Sequence, residues 1–252
     1  LKPRQDRNWQ PDVAVTASCE VDGDRLRVRN LRQAVYQTPT DYTVRWLDRD
    51  YDLGRLRSVD FFLVDWGSPR IAHTMLSFVF EDQPPLCVSV ETRKEVGEAY
   101  SAIRGFFRRF ELIYVVADEI DLVRLRTEIR RGETVRLNRF RISPEMARAL
   151  LLKNVERINA LHREPEWYHA LTSNCTTNLV VSAAAADRQA VPGFDLRILL
   201  NGEIDALMHE RGAFEAGVPL SGLREGGVVN GRGAGETDPA AYARALRQGV
   251  PG

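Results

Sequence analysis

Three cysteines and four histidines are the side chains in this 252-residue chain best suited to covalent or acid–base chemistry. Three is odd, so a complete disulfide framework is impossible, and it is one short of a four-thiolate zinc site. Cys19 and Cys87 fall inside strand-like runs, where a free cysteine behaves as a small buried hydrophobe. A Cys19–Cys87 disulfide is open in an oxidising compartment, although nothing in the sequence positions the pair. Cys175 differs from both. It follows Asn174 at the expected start of a helix, among Thr172, Ser173, Thr176 and Thr177. The positive end of a helix dipole and its unpaired amides stabilise a thiolate and lower its pKa from the free value of about 8.5. A capping-region cysteine without chemistry is the alternative reading of the same position.

A thiolate nucleophile needs a base. His162, His169 and His209 lie near helix ends or in polar connectors and read as surface histidines. His73 lies inside the mostly apolar run Ile71–Phe80, where an imidazole is costly unless partnered. A core histidine bonded to backbone is the alternative there. This run and Leu86–Thr92 flank the turn cluster Glu81-Asp82-Gln83-Pro84-Pro85, which makes an antiparallel hairpin the simplest arrangement. That register sets Glu91 or Arg93 across from His73, and residues two apart share a face. A carboxylate beside an imidazole orients the ring and supports the imidazolium. Cys175, His73 and Glu91 are therefore the candidate catalytic set, with the condition that a one-residue slip would turn Glu91 away. The same three side chains offer one sulfur, one nitrogen and one oxygen to a metal. No short-spaced pair such as CxxC or HExxH supports that, so no metal and no cofactor is expected.

These residues need elements to hold them. Val13–Asn30 reads as a hairpin turning at Asp22-Gly23, and Tyr42–Trp46, Val59–Trp66 and Glu111–Ala117 read as strands. A helix is expected from Asp118 to Arg130, ended by Gly132, and a short strand over Thr134–Ile142. Ser143, Pro144 and Glu145 form a strong helix start, and Met146, Leu150, Leu151, Val155, Ile158 and Leu161 give that helix an apolar face to about Arg163. Thr176–Ala186 reads as a small-residue helix. From about Asp187 the chain changes character, with short helices near Asn201–Glu210 and Pro239–Arg247 around a Gly-rich stretch from Gly222 to Gly235. The class is α+β: a main domain over 1–186 and a C-terminal extension over 187–252, packed on or beside it.

Composition narrows the function classes. Hydrophobic residues at 44% and charged residues at 28% describe a globular chain, not a disordered or fibrous one. Acid and base balance at 35 each, which argues against nucleic acid as a partner. Only Lys2, Lys94 and Lys153 of the basic residues are lysines. The arginine bias reads either as genome composition or as a preference for bidentate phosphate and carboxylate contacts. No run approaches the roughly 18 apolar residues that span a bilayer. The start at Leu1-Lys2-Pro3-Arg4 suggests a targeting or anchoring segment outside this sequence. Within Tyr100–Tyr114, Phe106, Phe107 and Phe110 interleave with Arg104, Arg108 and Arg109, which reads as a core-packing edge or as a surface that meets lipid headgroups.

Several stretches together resemble a known family. They are Asp65-Trp66-Gly67-Ser68-Pro69, Ala72-His73-Thr74, Ser89-Val90-Glu91-Thr92-Arg93-Lys94-Glu95, Gly97-Glu98-Ala99-Tyr100-Ser101, Phe110-Glu111-Leu112-Ile113-Tyr114 and Asn174-Cys175-Thr176-Thr177-Asn178. In order and spacing they are similar to the Lnb-type lipoprotein N-acyltransferases, over about residues 40–185. The resemblance implies a circularly permuted papain-like (NlpC/P60-like) fold, an antiparallel sheet with packed helices in which the histidine strand precedes the cysteine helix. It implies acyl transfer: Cys175 attacks a phospholipid ester with His73 as base, and the resulting thioester acylates the N-terminal amine of a diacylglyceryl-cysteine lipoprotein. Glu91 carries over as the orienting residue, and Asn174, Arg93, Tyr100 and Trp66 as substrate-binding positions. The implied partners are the phospholipid acyl donor, the lipoprotein acceptor and the membrane surface. The implied location is the periplasmic face of the bacterial inner membrane. Two other readings remain: a cysteine amidase, peptidase or lipid hydrolase of the cell envelope, and a non-catalytic envelope-binding domain.

Overall fold

The turn at Asp22-Gly23 is a steric matter. Gly23 takes φ +58°, a left-handed conformation that costs glycine nothing, and the chain reverses there. In the computed structural model, which describes residues 2–67, 72–98, 110–168 and 202–251, this reversal joins β1 (Ser18–Asp22) to β2 (Arg25–Tyr36). A longer hairpin follows, with β3 (Tyr42–Asp52) antiparallel to β2. The sequence suggested a strand only to Trp46. The extra residues of β3 are largely charged, and they pair across the ladder, Asp50 with Arg25 at 2.7 Å and Asp48 with Arg29 at 3.1 Å. Such cross-strand pairs support a sheet without any hydrophobic signal.

Four strands make the buried centre: β4 (Leu56–Asp65), β5 (Ala72–Phe80), β6 (Leu86–Arg93) and β7 (Glu111–Ala117). With β8 (Thr134–Arg139) they extend an eight-stranded sheet in the order β1-β2-β7-β6-β5-β4-β8, with β3 on the outer side of β2. All ladders are antiparallel except the β2–β7 contact at Arg32 and Ala117. The central strands are apolar on both sides because both faces are covered.

The two faces carry different cores. On the first, Phe61, Leu63, Leu76, Phe78, Val88, Val90, Leu112 and Tyr114 meet the long helix α2 (Pro144–Arg163) through Ala147, Leu150, Leu151, Val155 and Ile158. The Ser143 hydroxyl accepts from the Met146 amide at 3.2 Å, so the anticipated cap is present. On the second face, Phe62, Val64, Met75, Cys87, Ile113 and Val115 pack against α1 (Glu119–Arg124) and the C-terminal helix α5 (Pro239–Arg247) through Leu122, Val123, Tyr242 and Leu246. The short helices α3 (Ile204–Glu210) and α4 (Leu220–Gly226) bring Ile204, Leu207 and Leu223 to the first core. α4 opens what read in sequence as a Gly-rich stretch. Segment 202–251 therefore contributes to both cores, and the architecture is α+β.

The helix expected over Asp118–Arg130 divides. α1 ends at Arg124 and the backbone widens into a π-turn over Leu125–Ile129, closed by the Arg130 amide on the Leu125 carbonyl at 2.8 Å. Such widened turns recur beside functional sites. Cys19 and Cys87 are both free and buried, with no disulfide between them. Burial pushes the Cys19 thiol up to about 12 and the Cys87 thiol well above its ordinary value. The expected helix at Thr176–Ala186 and most of the Phe/Arg stretch lie outside the described residues.

Candidate functional site

His73 reaches its place because β5 pairs with β4 and β6 in fixed register. Val64 faces it from β4, and Met75 faces Ser89 on the β6 side. Continuing that ladder outward by one pleat brings Glu91 to His73, one of the two pairings that the hairpin argument allowed. The ring is 7% exposed. Its Nε2 lies 2.7 Å from the Ser89 hydroxyl and 3.3 Å from Glu91 Oε1. Ser89 in turn donates to the same carboxylate oxygen at 2.6 Å. A hydroxyl has one proton, and Ser89 gives it to Glu91, so its lone pair accepts from an Nε2–H on His73. In that tautomer the lone pair of the neutral ring lies on Nδ1.

Glu91 is itself held. Arg126, on the π-turn, donates from Nη2 to Glu91 Oε1 at 2.6 Å and from Nη1 to the Leu122 carbonyl at 2.7 Å. Burial alone would raise the Glu91 pKa. The charges of His73 and Arg126, with hydrogen bonds from His73 and Ser89, outweigh burial and hold the carboxyl well below the usual range. Ser89 is fully buried and Arg126 nearly so, whereas the Glu91 side chain keeps 28% of its surface exposed. Neither Ser89 nor Arg126 was marked by the sequence as functional. Ser89 carried a weak signal, lying two residues before Glu91 on the same strand face. Arg126 carried none, because its approach depends on the π-turn.

Trp66, directly after β4, stacks near the ring with centroids 6.5 Å apart and planes 22° from parallel. It is 42% exposed, so part of the indole is open beside His73. Arg93 shares the strand face of Glu91, but its guanidinium is occupied by the N-terminal segment. It donates to the Val13 carbonyl at 2.9 Å, the Ala14 carbonyl at 2.7 Å and the Gln5 side chain, and lies over the Trp9 ring. Cys175, Asn174 and Tyr100 lie outside the described residues. Among the described residues, no group of three or more His, Cys, Asp or Glu side chains is placed to hold a metal ion.

A second polar cluster lies under the same face, toward the other end of β5 and β6. Asp60 accepts from Arg139 at 2.9 Å and from Arg247 at 2.9 Å. Glu119 accepts from Arg247 through two nitrogens at 2.8 and 2.6 Å and from the Ser77 hydroxyl at 2.5 Å. Both carboxylates are fully buried.

An α+β domain with a strand-borne histidine, backed by a carboxylate and an arginine, is the class that fold and site define. The chain belongs to the family described as the Lnb N-terminal periplasmic domain, whose model matches residues 42–202. That span includes His73, Ser89, Glu91 and Arg126, and it runs through Cys175. No curated protein and no solved structure matches the chain. The family is one of periplasmic domains, with an Lnb-type, lipoprotein-related role. Among the described residues, no helix is long and apolar enough to cross a membrane.

Proposed function

We propose that the chain is a lipoprotein N-acyltransferase domain that works through a thioester on Cys175. The observation that carries the proposal is the ordered ring of His73, its Nε2 occupied by Ser89 and Glu91, in a member of the Lnb periplasmic family. His73 Nδ1 takes the Cys175 proton. The thiolate sulfur attacks the ester carbonyl carbon of a phospholipid, a C–S bond forms, and the ester C–O bond breaks. The His73 imidazolium returns the proton to the departing alkoxide, which leaves as lysophospholipid. In the second half, the amine of a diacylglyceryl-cysteine N-terminus attacks the thioester. A C–N bond forms, the C–S bond breaks, and His73 takes the amine proton as the thiolate is released. Glu91 holds the ring and supports its charged form.

The finer reading of the fold is a permuted papain-like (NlpC/P60-like) domain. Its support is chain order, with the histidine strand before Cys175, together with the antiparallel sheet. Trp66, Asn174 and Tyr100 are proposed on the substrate side, with the exposed part of Trp66 suited to an acyl chain or glycerol backbone. Arg93 is proposed there too, and the contacts it already makes with the N-terminal segment set the shape it would present. The proposed location is the periplasmic face of the inner membrane. Intact-mass measurement after incubation with phospholipid vesicles tests the chemistry. The proposal expects a single acyl adduct, lost in Cys175→Ala and passed on when a lipopeptide amine is added. An unmodified Cys175 beside cleaved cell-wall peptide would move the assignment to a cysteine amidase or peptidase. Released fatty acid with no transfer to a lipopeptide would make it a lipid hydrolase.

A further inference from the structure

Three groups converge on one oxygen. Glu91 Oε1 accepts from Ser89 at 2.6 Å and from Arg126 at 2.6 Å, and it lies 3.3 Å from His73 Nε2. A carboxylate in a two-member arrangement with histidine would spend that oxygen on the ring alone. Here the ring reaches the carboxylate chiefly through a buried hydroxyl, and a second cation competes for the same atom. We infer that Ser89 and Arg126 are positioning residues for the His73 base: Ser89 decides which ring nitrogen carries the proton, and Arg126 moderates how strongly Glu91 favours the charged ring. The inference rests on His73 being the base proposed above.

Two effects combine, one on the tautomer and one on the charge. A histidine exchanges its proton between two nitrogens, and only one tautomer presents a lone pair to the nucleophile. Ser89 can accept from Nε2–H because Glu91 takes its own proton, and Glu91 can take it because Arg126 keeps the carboxyl ionised. Removing any one member weakens that order. Arg126 also acts on charge. It and His73 share one acceptor atom, which sets them within the roughly 4–6 Å over which one charge moves another group's pKa. Glu91 raises the proton affinity of the ring and Arg126 lowers it. A base must return its proton to the leaving alkoxide, and an ion pair too strong would trap it. Among the described residues, Trp66 from the end of β4 and Ser89 and Glu91 from β6 face the ring. Beyond them on α1, Asp121 pairs with Arg32 of β2, and Glu119 pairs with Arg247. Arg93 is turned to the N-terminal segment.

Nitrogen-15 NMR of the histidine rings in the Cys175→Ala protein tests this directly, with His73 assigned by its loss in His73→Gln. The alanine removes the thiol that would titrate jointly with the ring. The expected neutral ring carries its proton on Nε2. Arg126→Gln is expected to raise the His73 midpoint by about one pH unit, and Glu91→Gln to lower it by a similar amount. Arg126→Lys keeps the charge and is expected to stay near the parent midpoint. Ser89→Ala is expected to give a mixture of tautomers. A folded Arg126→Gln protein with an unmoved or lowered midpoint would overturn the moderating role. A parent ring protonated on Nδ1, or an unchanged tautomer in Ser89→Ala, would overturn the bridging role. If Arg126→Gln does not fold, Arg126→Lys and Ser89→Ala still decide. An Arg126→Lys midpoint raised as far as a lost charge would raise it, or an unmoved tautomer in Ser89→Ala, counts against the inference. The readout is the ring itself, so failure to find an acyl adduct on Cys175 would strike the proposed reaction alone.

Discussion

Two groups of arginines and carboxylates lie under the same face of the sheet. Around Asp60 and Glu119, two carboxylates meet Arg139 and Arg247, and every carboxylate oxygen has a donor at hydrogen-bond distance. The cluster fastens α5 to α1 and β4, closes the second core, and is made of arginines, carboxylates and the Ser77 hydroxyl. Around His73, one carboxylate meets one arginine, one hydroxyl and one imidazole. One oxygen of Glu91 accepts from the arginine and the hydroxyl and lies 3.3 Å from the imidazole, and its side chain stays partly exposed. The same residue types therefore do different work. Where charge is balanced and sealed from water, the outcome is scaffold. Where a histidine enters and one side is left open, the outcome is an arrangement that the proposed reaction would use to move a proton.

The difference can be broken by substitution. Replacing His73 by alanine should lower acyl-adduct formation on Cys175 by about 100- to 10,000-fold, the range a positioned base contributes, while unfolding measured in urea stays cooperative. Replacing Arg247 by alanine should do the reverse. It takes the arginine from buried Glu119 and one of two arginines from buried Asp60, and should cost about 3–5 kcal/mol in urea unfolding, with adduct formation per folded molecule nearly unchanged. If the second substitution also abolished adduct formation in folded protein, the separation of scaffold from site would fail.

Acid sharpens the same contrast. The Glu91 carboxyl is held below its ordinary value of 4.5 in the fold, so its ionised form stabilises the folded chain. That contribution is present above the unfolded value and is lost as pH falls through the lower folded one. The melting temperature of the parent should therefore exceed that of Glu91→Gln at neutral pH, and the gap should narrow as pH falls below the ordinary value of 4.5 toward the lower folded one. A gap that persisted or widened in acid would contradict the assigned direction. The smallest effect belongs to the cap of α5. Asp238 accepts from the Ala241 amide at 2.7 Å, and Asp238→Ala should cost about 1 kcal/mol without touching the site. A loss as large as that of Arg247→Ala would mean that α5 depends on its cap rather than on its buried arginine.

Much of the scaffold could be read in the chain. The hairpin at Gly23, the strands around His73 and Glu91, the capped helix from Pro144 and the last helix from Pro239 all announce themselves by local chemistry: alternation, a positive-φ glycine, an N-cap, a helix-starting proline. The face shared by His73 and Glu91 followed from strand period and hairpin register, which are local as well. What was missed is of another kind. β3 runs on past Trp46 because its charges meet charges on β2, and α1 widens into a π-turn whose consequence shows only in what Arg126 touches. The Arg32 and Asp121 side chains, 89 positions apart, form a buried pair that neither residue signals alone.

The sequence by itself determined most of the elements and the strand face on which His73 and Glu91 lie, because each depends on neighbours within one hairpin or one helical turn. Tertiary structure alone decided that Arg126 would clamp Glu91 across 35 positions and that Arg247 would seal Asp60 and Glu119 from the far end of the chain. It also decided that Arg93 would hold the N-terminal segment. The physical reason is that a guanidinium can satisfy any carboxylate or carbonyl it meets. Its identity says that a partner exists, and only the packing of sheet and helices says which one.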